Sequence, residues 1–395
     1  VNSKYAVVSH WGGKFNDTEI QKWASDLYHT LEGGHVSLGL VFMTPRFFPH
    51  AQQVLEILRV HAHIPLLAGC SSHGLIANGE EIEHEAGIVL GLYSLPEAQL
   101  KGVHFGQAQI EAAEGAEHWI KETGVEPGAT NGWLSFLDPF HIDSESWVES
   151  WSEAYPQTPV LGGLAGGDFR KRATQVYLNG DVFDEGGVAV SVGGEVRLAS
   201  VISQGCTPIG ETWTLTRVNH NIIQQIGNRP AYKVLEETVQ GLTADEQKQA
   251  QGNLLIGLVV NEYLEDFHRG DFLIRNLLGV DPNSGSIAVG ALPRPGQTVQ
   301  FQRRDAGAAN EDMAELLGRA ARDLKGKTVY GACLCSCSGR GSGLFGRPNH
   351  DAEMVQEELG PLGVSGFFCS GEIGPVGRRN FLHGFTASVA LFVKK

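Results

Sequence analysis

One short phrase, a proline followed by apolar residues and a glycine, occurs three times and constrains this chain more than any other feature. Pro65-Leu-Leu-Ala-Gly69 runs into CSSHG, Pro159-Val-Leu-Gly-Gly163 into LAGGD, and Pro361-Leu-Gly-Val-Ser-Gly366 into FFCSGEIG. Each copy reads as a short apolar strand entering a glycine-rich turn. The flanks recur too. Upstream stand the apolar strands VSLGLVFMTP from Val36, GWLSFLDPF from Gly132 and VYGACLCSCSG from Val329. A loop and a helix follow each: AQQVLEILRVH, SESWVESWSEAY and DAEMVQEELG. In the first, Val54, Ile57 and Leu58 keep helical spacing. Downstream lie GIVLGLYS, GVAVSVGG and FTASVALF. A repeated strand, helix, strand, glycine turn, strand unit predicts an α/β fold of mixed sheets with flanking helices, since some connections are short enough for hairpins.

The second and third copies are separated by a different segment. HNIIQQIGNRPAYKVLEETVQ, from His220, reads as a helix with Pro230 suited to its first turn. TADEQKQAQG reads as a polar helix end or linker, NLLIGLVVNEY as a strand, and DFLIRNLLGVDPNSGSIAVG as strand, turn, strand, the turn marked by Asp281 to Gly285. A chain of 395 residues exceeds one ordinary core. The change of pattern near residue 200 predicts two domains, 1–203 and 204–395. The absence of a proline-rich or serine-rich linker predicts that they pack closely.

Composition narrows the function classes. With 42% apolar and 19% charged residues the chain can bury a sizeable core. A net charge of −15 and the lack of a basic run speak against a nucleic-acid partner. No stretch reaches the roughly 18–20 apolar residues that span a bilayer, so no membrane partner is expected. The N-terminus, VNSKYAVVSHWGG, lacks the charged and apolar regions of a secretory signal, although its first residue, Val1, leaves a trimmed leader open. The six cysteines are too sparse for a disulfide framework and point to a reducing, cytoplasmic setting.

The candidate chemistry lies in the turns. A turn after a strand exposes backbone N–H groups to a ligand. Gly69-Cys70-Ser71-Ser72 adds a thiol and two hydroxyls, and Gly371-Glu372 adds a carboxylate. Such turns could converge on one polar pocket or merely connect strands. Arg340, among the glycines of Cys337-Ser338-Gly339-Arg340-Gly341, could clamp an anion or form a salt bridge, with Glu372 as the candidate partner. Cys333, Cys335 and Cys337 would share a strand face, but at about 6.5–7 Å spacing they are too far apart for one zinc and read as core cysteines. Cys70 and Cys206 sit in candidate nucleophile turns, yet there is no GxSxG elbow and no histidine patterned with them. There is no P-loop and no HExxH; Gly339-Arg-Gly341-Ser-Gly343 resembles a dinucleotide fingerprint only in its opening and lacks the third glycine at the required place; His61, His63 and His141, the last near Asp143, read as ordinary histidines.

Together these stretches resemble the FIST family. CSGRG at 337–341, PLGVSGFFCSGEIGP at 361–375 and LHGFTASVALF at 382–392 look like its C-terminal domain. QGCTPIG at 204–210, NIIQQIGNRPAYKVL and DFLIRNLLGVD look like the joining segment. IPLLAGCSSHGLI at 64–76 and HEAGIVLGL at 84–92 look like the N-terminal domain. The resemblance implies an intracellular, non-catalytic sensor of a small ligand, with amino acids proposed for the family. With no output domain attached, it would act through a separate signalling partner. It implies a haem-based nitric oxide sensor as one alternative, although no CxxCH attachment site is present; a cysteine-dependent enzyme is the other. No further cofactor is expected. For a small anionic or zwitterionic ligand, Ser71, Ser72 and Cys70 are the expected donors, Arg340 the carboxylate clamp, and Glu372, with Gly371 in its turn, the ammonium acceptor. On this reading Arg340→Ala should weaken binding with little change in melting temperature.

Overall fold

A computed structural model describes residues 4–395. The three repeats become three modules of one plan. The first runs β1 (Ala6–Trp11), α1 (Asp17–His29), β2 (Leu38–Met43), α2 (Ala51–His61), β3 (Leu67–Ser71), the hairpin β4 (Leu75–Ala77) and β5 (Glu80–Ile82), then β6 (Ile88–Tyr93). The second runs β7 (Ala98–Phe105), α3 (Gln107–Glu111), α4 (Ala116–Thr123), β8 (Trp133–Leu137), α5 (Ser144–Ala154), β9 (Val160–Leu164), the hairpin β10 (Val176–Leu178) and β11 (Asp181–Phe183), then β12 (Gly187–Gly194). The third opens with β13 (Val196–Ser203) and is then interrupted. The interruption holds β14 (Cys206–Asn219), β15 (Ile222–Ile226), β16 (Arg229–Pro230), α6 (Ala231–Gln240), α7 (Ala244–Ala250), β17 (Leu254–Val259), β18 (Phe272–Asp281), β19 (Ser286–Val289) and β20 (Thr298–Arg304). The third module resumes with α8 (Ala306–Asp323), β21 (Val329–Cys337), α9 (Ser342–Phe345), α10 (His350–Leu359), β22 (Val364–Cys369), the hairpin β23 (Glu372–Val376) and β24 (Arg379–His383), and β25 (Ala387–Lys394).

The expected α/β fold of mixed sheets is the observed one. In every module the second and third long strands pair in parallel: β2 with β3, β8 with β9, β21 with β22. The last strand lies antiparallel on the other side of the second, and the opening strand edges the sheet beside it. The hairpins are exchanged in a ring. β4 pairs with β22 of the third module, β10 with β3 of the first, and β23 with β9 of the second. Each six-stranded sheet is therefore completed by two strands from another module.

The recurring glycine has a different task from the one expected. Gly69, Gly162 and Gly366 lie inside the parallel strand, not in the turn, and in the second copy the equivalent residue is Gly162 rather than Gly163. A Cβ there would meet the backbone oxygen of Val41 at 1.7 Å, Ser135 at 1.8 Å and Leu334 at 1.9 Å. Only glycine allows the two strands to approach so closely.

The modules share a core in which Phe42, Phe136 and Phe367 meet, with ring centroids 4.8–5.8 Å apart. The helices cover the other sheet faces. On α5, Trp147 and Trp151 are one helical turn apart and pack with Trp119, Trp133 and Tyr155; Asp143 caps the helix by accepting the Ser146 N–H.

The compact units differ from the expected halves 1–203 and 204–395. One contains the chain up to Ile202, Met313–Leu382 and Thr386–Lys395; the other is Ser203–Asp312 with His383–Phe385. By contacts, the middle segment interrupts the third module: β13 precedes it and α8 onward follows it. In this second unit, β14, β20, β17, β18, β19 and β15 are antiparallel neighbours, and β14 also pairs with β15, which closes the sheet on itself. Ile223, Ile226, Val234, Ile256 and Phe301 help fill its core. The segment from His220 is a strand and β-bridge before it is a helix: α6 starts at Ala231, and Pro230 is its cap rather than part of its first turn.

Candidate functional site

Three modules of one plan allow each position to be compared with its two equivalents. The residues after the strand glycines, Cys70, Gly163 and Phe367, pair with Val176, Glu372 and Leu75 respectively, so a carboxylate occupies a site that is apolar elsewhere. The residues at the end of the second strand whose N–H groups bond to Gly87, Gly186 and Thr386 are Thr44, Asp138 and Cys337. Three residues further on stand Phe47, His141 and Arg340. Three residues beyond the strand glycine stand Ser72, Ala165 and Cys369. The third module alone brings a guanidinium, a carboxyl and two thiols to these places, and all of them lie within the first unit.

The Arg340 side chain is only 1% exposed. Its Nε donates to Asp351 Oδ2 at 2.6 Å and its Nη2 to Asp351 Oδ1 at 2.8 Å, a bidentate pair. Ser336 Oγ donates to Asp351 Oδ2, and His350 Nδ1 lies 2.9 Å from Oδ1. Asp351 opens α10, where the N–H groups of Asp351 and Ala352 both donate to Glu81 Oε1 on the exchanged strand β5. Burial would raise the Asp351 carboxyl, but the Arg340 guanidinium outweighs it and holds the group well below the usual carboxylate range. Burial, reinforced by Asp351, pushes Glu81 up to about 7.

Glu372 is fully buried. Its Oε2 accepts the Thr386 N–H at 2.9 Å, and its Oε1 accepts the Cys369 thiol at 3.2 Å. The Cys337 thiol bonds to the same carboxyl. Burial pushes Glu372 up to about 8 against these contacts and the pull of Arg340, so the group is largely neutral at pH 7. Arg340 Nη1 and Glu81 Oε2 are buried without a hydrogen-bond partner. Phe345 of α9 covers the cluster: its ring stacks on His350 at 3.4 Å and sits 5.3 Å from the guanidinium carbon of Arg340.

The other residues singled out from the sequence have structural partners. Ser71 Oγ donates to the Gly166 carbonyl at 2.8 Å and accepts the Gln175 N–H. Ser72 Oγ bonds the carbonyls of Gly74 and Phe368. Both hydroxyls stitch one module to another. The Gly371 carbonyl accepts the Leu164 N–H. Cys70 lies in the shared core, where burial raises its thiol pKa. The glycine turns do converge, since Gly166 N–H donates to Ser71 O and Ser370 N–H to Leu164 O, but through backbone bonds. Arg340 pairs with Asp351 instead of Glu372. Truncating it would leave a buried carboxylate unpaired, so the expected small effect of Arg340→Ala on melting is replaced by a large one. Asp351 and Glu81 were missed. The usable signal was an acidic residue in the first turn of a helix that follows CSGRG. His141 pairs with Asp138 at 2.8 Å, not with Asp143.

Cys333 and Cys335 are core residues, as their spacing suggested, but Cys337, which the same reading placed with them, is only half-buried at the strand end. Among the described residues no group of three or more His, Cys, Asp or Glu is placed to hold a metal. Haem needs an axial His, Cys or Tyr facing a cavity. Cys70, Cys333, Cys335 and Cys369 are fully enclosed by packed side chains. A groove of about 580 Å³ in the second unit, between α6 and the ends of β17 and β18, has Tyr232 as its sole residue of those types. No described helix is long and apolar enough to cross a membrane.

Comparison with known proteins gives the chain its relatives. A family model described as FIST N domain matches residues 37–229, and one described as FIST C domain matches 231–375. An uncharacterized protein of Mycobacterium tuberculosis is 38% identical over 363 residues, 92% of this chain and 93% of that protein. One from Mycobacterium bovis is also 38% identical, covering 92% of each chain. One from Methanocaldococcus jannaschii is 21% identical over 264 residues, 64% of this chain and 49% of that protein. Among solved structures, a cyanuric acid hydrolase covers 99% of this chain and 100% of its own at 6% identity with a TM-score of 0.38. The enzyme of A. caulinodans covers 99% of each at 10% identity and 0.33. Likeness at that level says nothing about activity.

Proposed function

Because the chain belongs to the FIST family, whose domains are associated with sensory signal transduction, we propose that it is a non-catalytic sensor that binds a small anionic or zwitterionic ligand such as an amino acid at the third module's buried cluster. It would pass the signal to a separate protein partner. One observation carries this reading: the Arg340 Nη1 donor is buried and unmatched. Leaving such a group desolvated costs about 1–3 kcal/mol or more, which a bound carboxylate would recover. Glu81 Oε2, also unmatched, offers an acceptor for an ammonium group.

The way in is α9. This four-residue turn lies between Gly341 and Gly346, both at left-handed φ of about +65°, and is tied down by the Ser342 N–H donating to Glu83 Oε1. Moving it lifts Phe345 off Arg340 and His350. A binding role fits better than catalysis because Cys70 and Cys206, the candidate nucleophiles, are both buried, and the Arg340–Asp351 pair is closed on itself.

A thermal-shift screen of the full chain with the amino acids, small organic acids and haem tests this, since a ligand that prefers the folded state raises the melting temperature. A positive ligand should lose about tenfold or more in affinity in Arg340→Lys, which keeps the charge but not the fork. If no amino or organic acid shifts melting, or if Arg340→Lys binds as well as the parent, the site is wrong. A Soret band on haem addition would favour the gas-sensor alternative.

A further inference from the structure

The register of the third module places two cysteines side by side, and nothing in the ligand reading uses them as a pair. Cys337 and Cys369 are direct partners on the parallel strands β21 and β22. Neighbouring strands lie about 4.8 Å apart, inside the 4.4–6.8 Å Cα separation that a disulfide spans. Both thiols bond to the one carboxyl of Glu372. Their surroundings differ. Cys337 is half-buried at a strand end; its sulfur accepts the Gly339 N–H at 3.5 Å and feels the charge of Arg340. An N–H donor, a cation and partial access are the conditions that favour a reactive thiolate. Cys369 is fully buried, and burial raises its thiol pKa well above the usual value, so it stays protonated until it is called on.

We propose that Cys337 and Cys369 form a peroxide-sensing dithiol, with Cys337 the attacking thiol, Cys369 the resolving thiol and Glu372 the group that carries the proton between them. The Cys337 thiolate attacks one peroxide oxygen: an S–O bond forms, the O–O bond breaks, and the departing alkoxide or hydroxide takes up the proton Cys337 had released. Cys337 is now a sulfenic acid. The Cys369 sulfur then attacks the Cys337 sulfur. The S–S bond forms, the S–O bond breaks, and the leaving hydroxide departs as water with the Cys369 proton, passed through the Glu372 carboxyl. Two thiols lose two electrons in all, and the peroxide is reduced to an alcohol, or water, plus water. The consequence is local. A bond at this point ties the end of β21 to β22, directly before the turn that carries Arg340 and α9.

The other modules supply substitutions that suit these slots, since Thr44 is the equivalent of Cys337, and Ser72 that of Cys369. Full-length protein is treated with hydrogen peroxide, and free thiols are counted under denaturing conditions before and after. The expected result is the loss of two of the six thiols, with a peptide cross-link between residues 337 and 369 that dithiothreitol reverses. Cys369→Ser should instead accumulate a sulfenic acid at Cys337 that dimedone traps, and Cys337→Thr should lose neither thiol at the same peroxide dose. Glu372→Gln should slow the second step at least tenfold while leaving the first. The proposal is overturned if the cross-link joins other cysteines, if Cys337→Thr is oxidised as fast as the parent, or if the parent keeps all its thiols at a peroxide dose that oxidises free cysteine. None of these readouts involves the small ligand, so failure here leaves the sensor reading standing, and the converse holds as well.

Discussion

Glu372 should make the first unit lose stability as pH rises through the neutral range, and Glu372→Gln should remove that loss. In the fold the carboxyl holds its proton up to about pH 8, whereas in the unfolded chain it releases it near 4.5. Between those values the folded state carries one proton more than the unfolded state, so stability falls by about 1.4 kcal/mol per pH unit. Below pH 4.5 both states are protonated and above about 8 both are ionised, so the slope vanishes outside the window. The whole effect is roughly 4–5 kcal/mol, all of it present at acid pH and lost by about pH 8. Glutamine keeps an oxygen for the Thr386 N–H and does not titrate. Urea unfolding from pH 5 to pH 9 can be followed by tryptophan fluorescence, because Trp11, Trp23, Trp119, Trp133, Trp147 and Trp151 lie in the first unit and only Trp213 in the second. Subtracting the variant from the parent at each pH cancels other titrations, including that of Glu81. The difference should fall against the parent by roughly 4 kcal/mol across the window. Parallel curves would mean that Glu372 titrates as an ordinary carboxylate. A difference that grows in the parent's favour with pH would mean an ionised Glu372 held by Arg340, and either result refutes the account.

Other consequences are as direct. Arg340→Ala should cost about 3–5 kcal/mol by stranding Asp351, seen as a large drop in melting temperature, while replacing both partners with apolar residues should recover most of it. Gly366→Ala should cost more than about 3 kcal/mol or prevent folding, because its Cβ would lie 1.9 Å from Leu334 O; Gly343→Ala, with nothing within 4 Å, should change melting by no more than about 0.5 kcal/mol. Ser72→Ala should cost about 1–3 kcal/mol in urea titrations by leaving the buried Phe368 carbonyl short of a donor.

The threefold phrase made the modules legible because their long strands are apolar and flanked by helices with a clear period. β2, β8 and β21, and α2, α5 and α10, fall where the pattern put them. The exchanged hairpins were not legible. β4, β5, β10 and β11 have three residues each, too few for any periodicity, and their partners come from another module. The change of pattern near residue 200 marks where the second compact unit starts, but a change of pattern does not show that the chain later returns to the first. The stretch from His220 misled because Ile222, Ile223 and Ile226 suit a helix face and a strand equally. At the site, Arg340 and Glu372 stood out as charges among glycines. Their partners did not, because a bidentate pair across a turn and a cap supplied by Glu81 depend on the fold.

The ring of exchanged hairpins also sets a timetable. Ser72 meets Phe368 across 296 residues of sequence. At about 5–20 residues per second, a ribosome needs some 15–60 s to supply the second after the first. Throughout that time β4 and β5 have no sheet to join, and the first module's fold is unfinished. Contacts this distant reward the chain late and make folding slow. The nascent protein must therefore carry an open strand edge until its last module emerges, so a chaperone that shields such edges, or a pause in translation, would act on this protein before residue 368 rather than after its release.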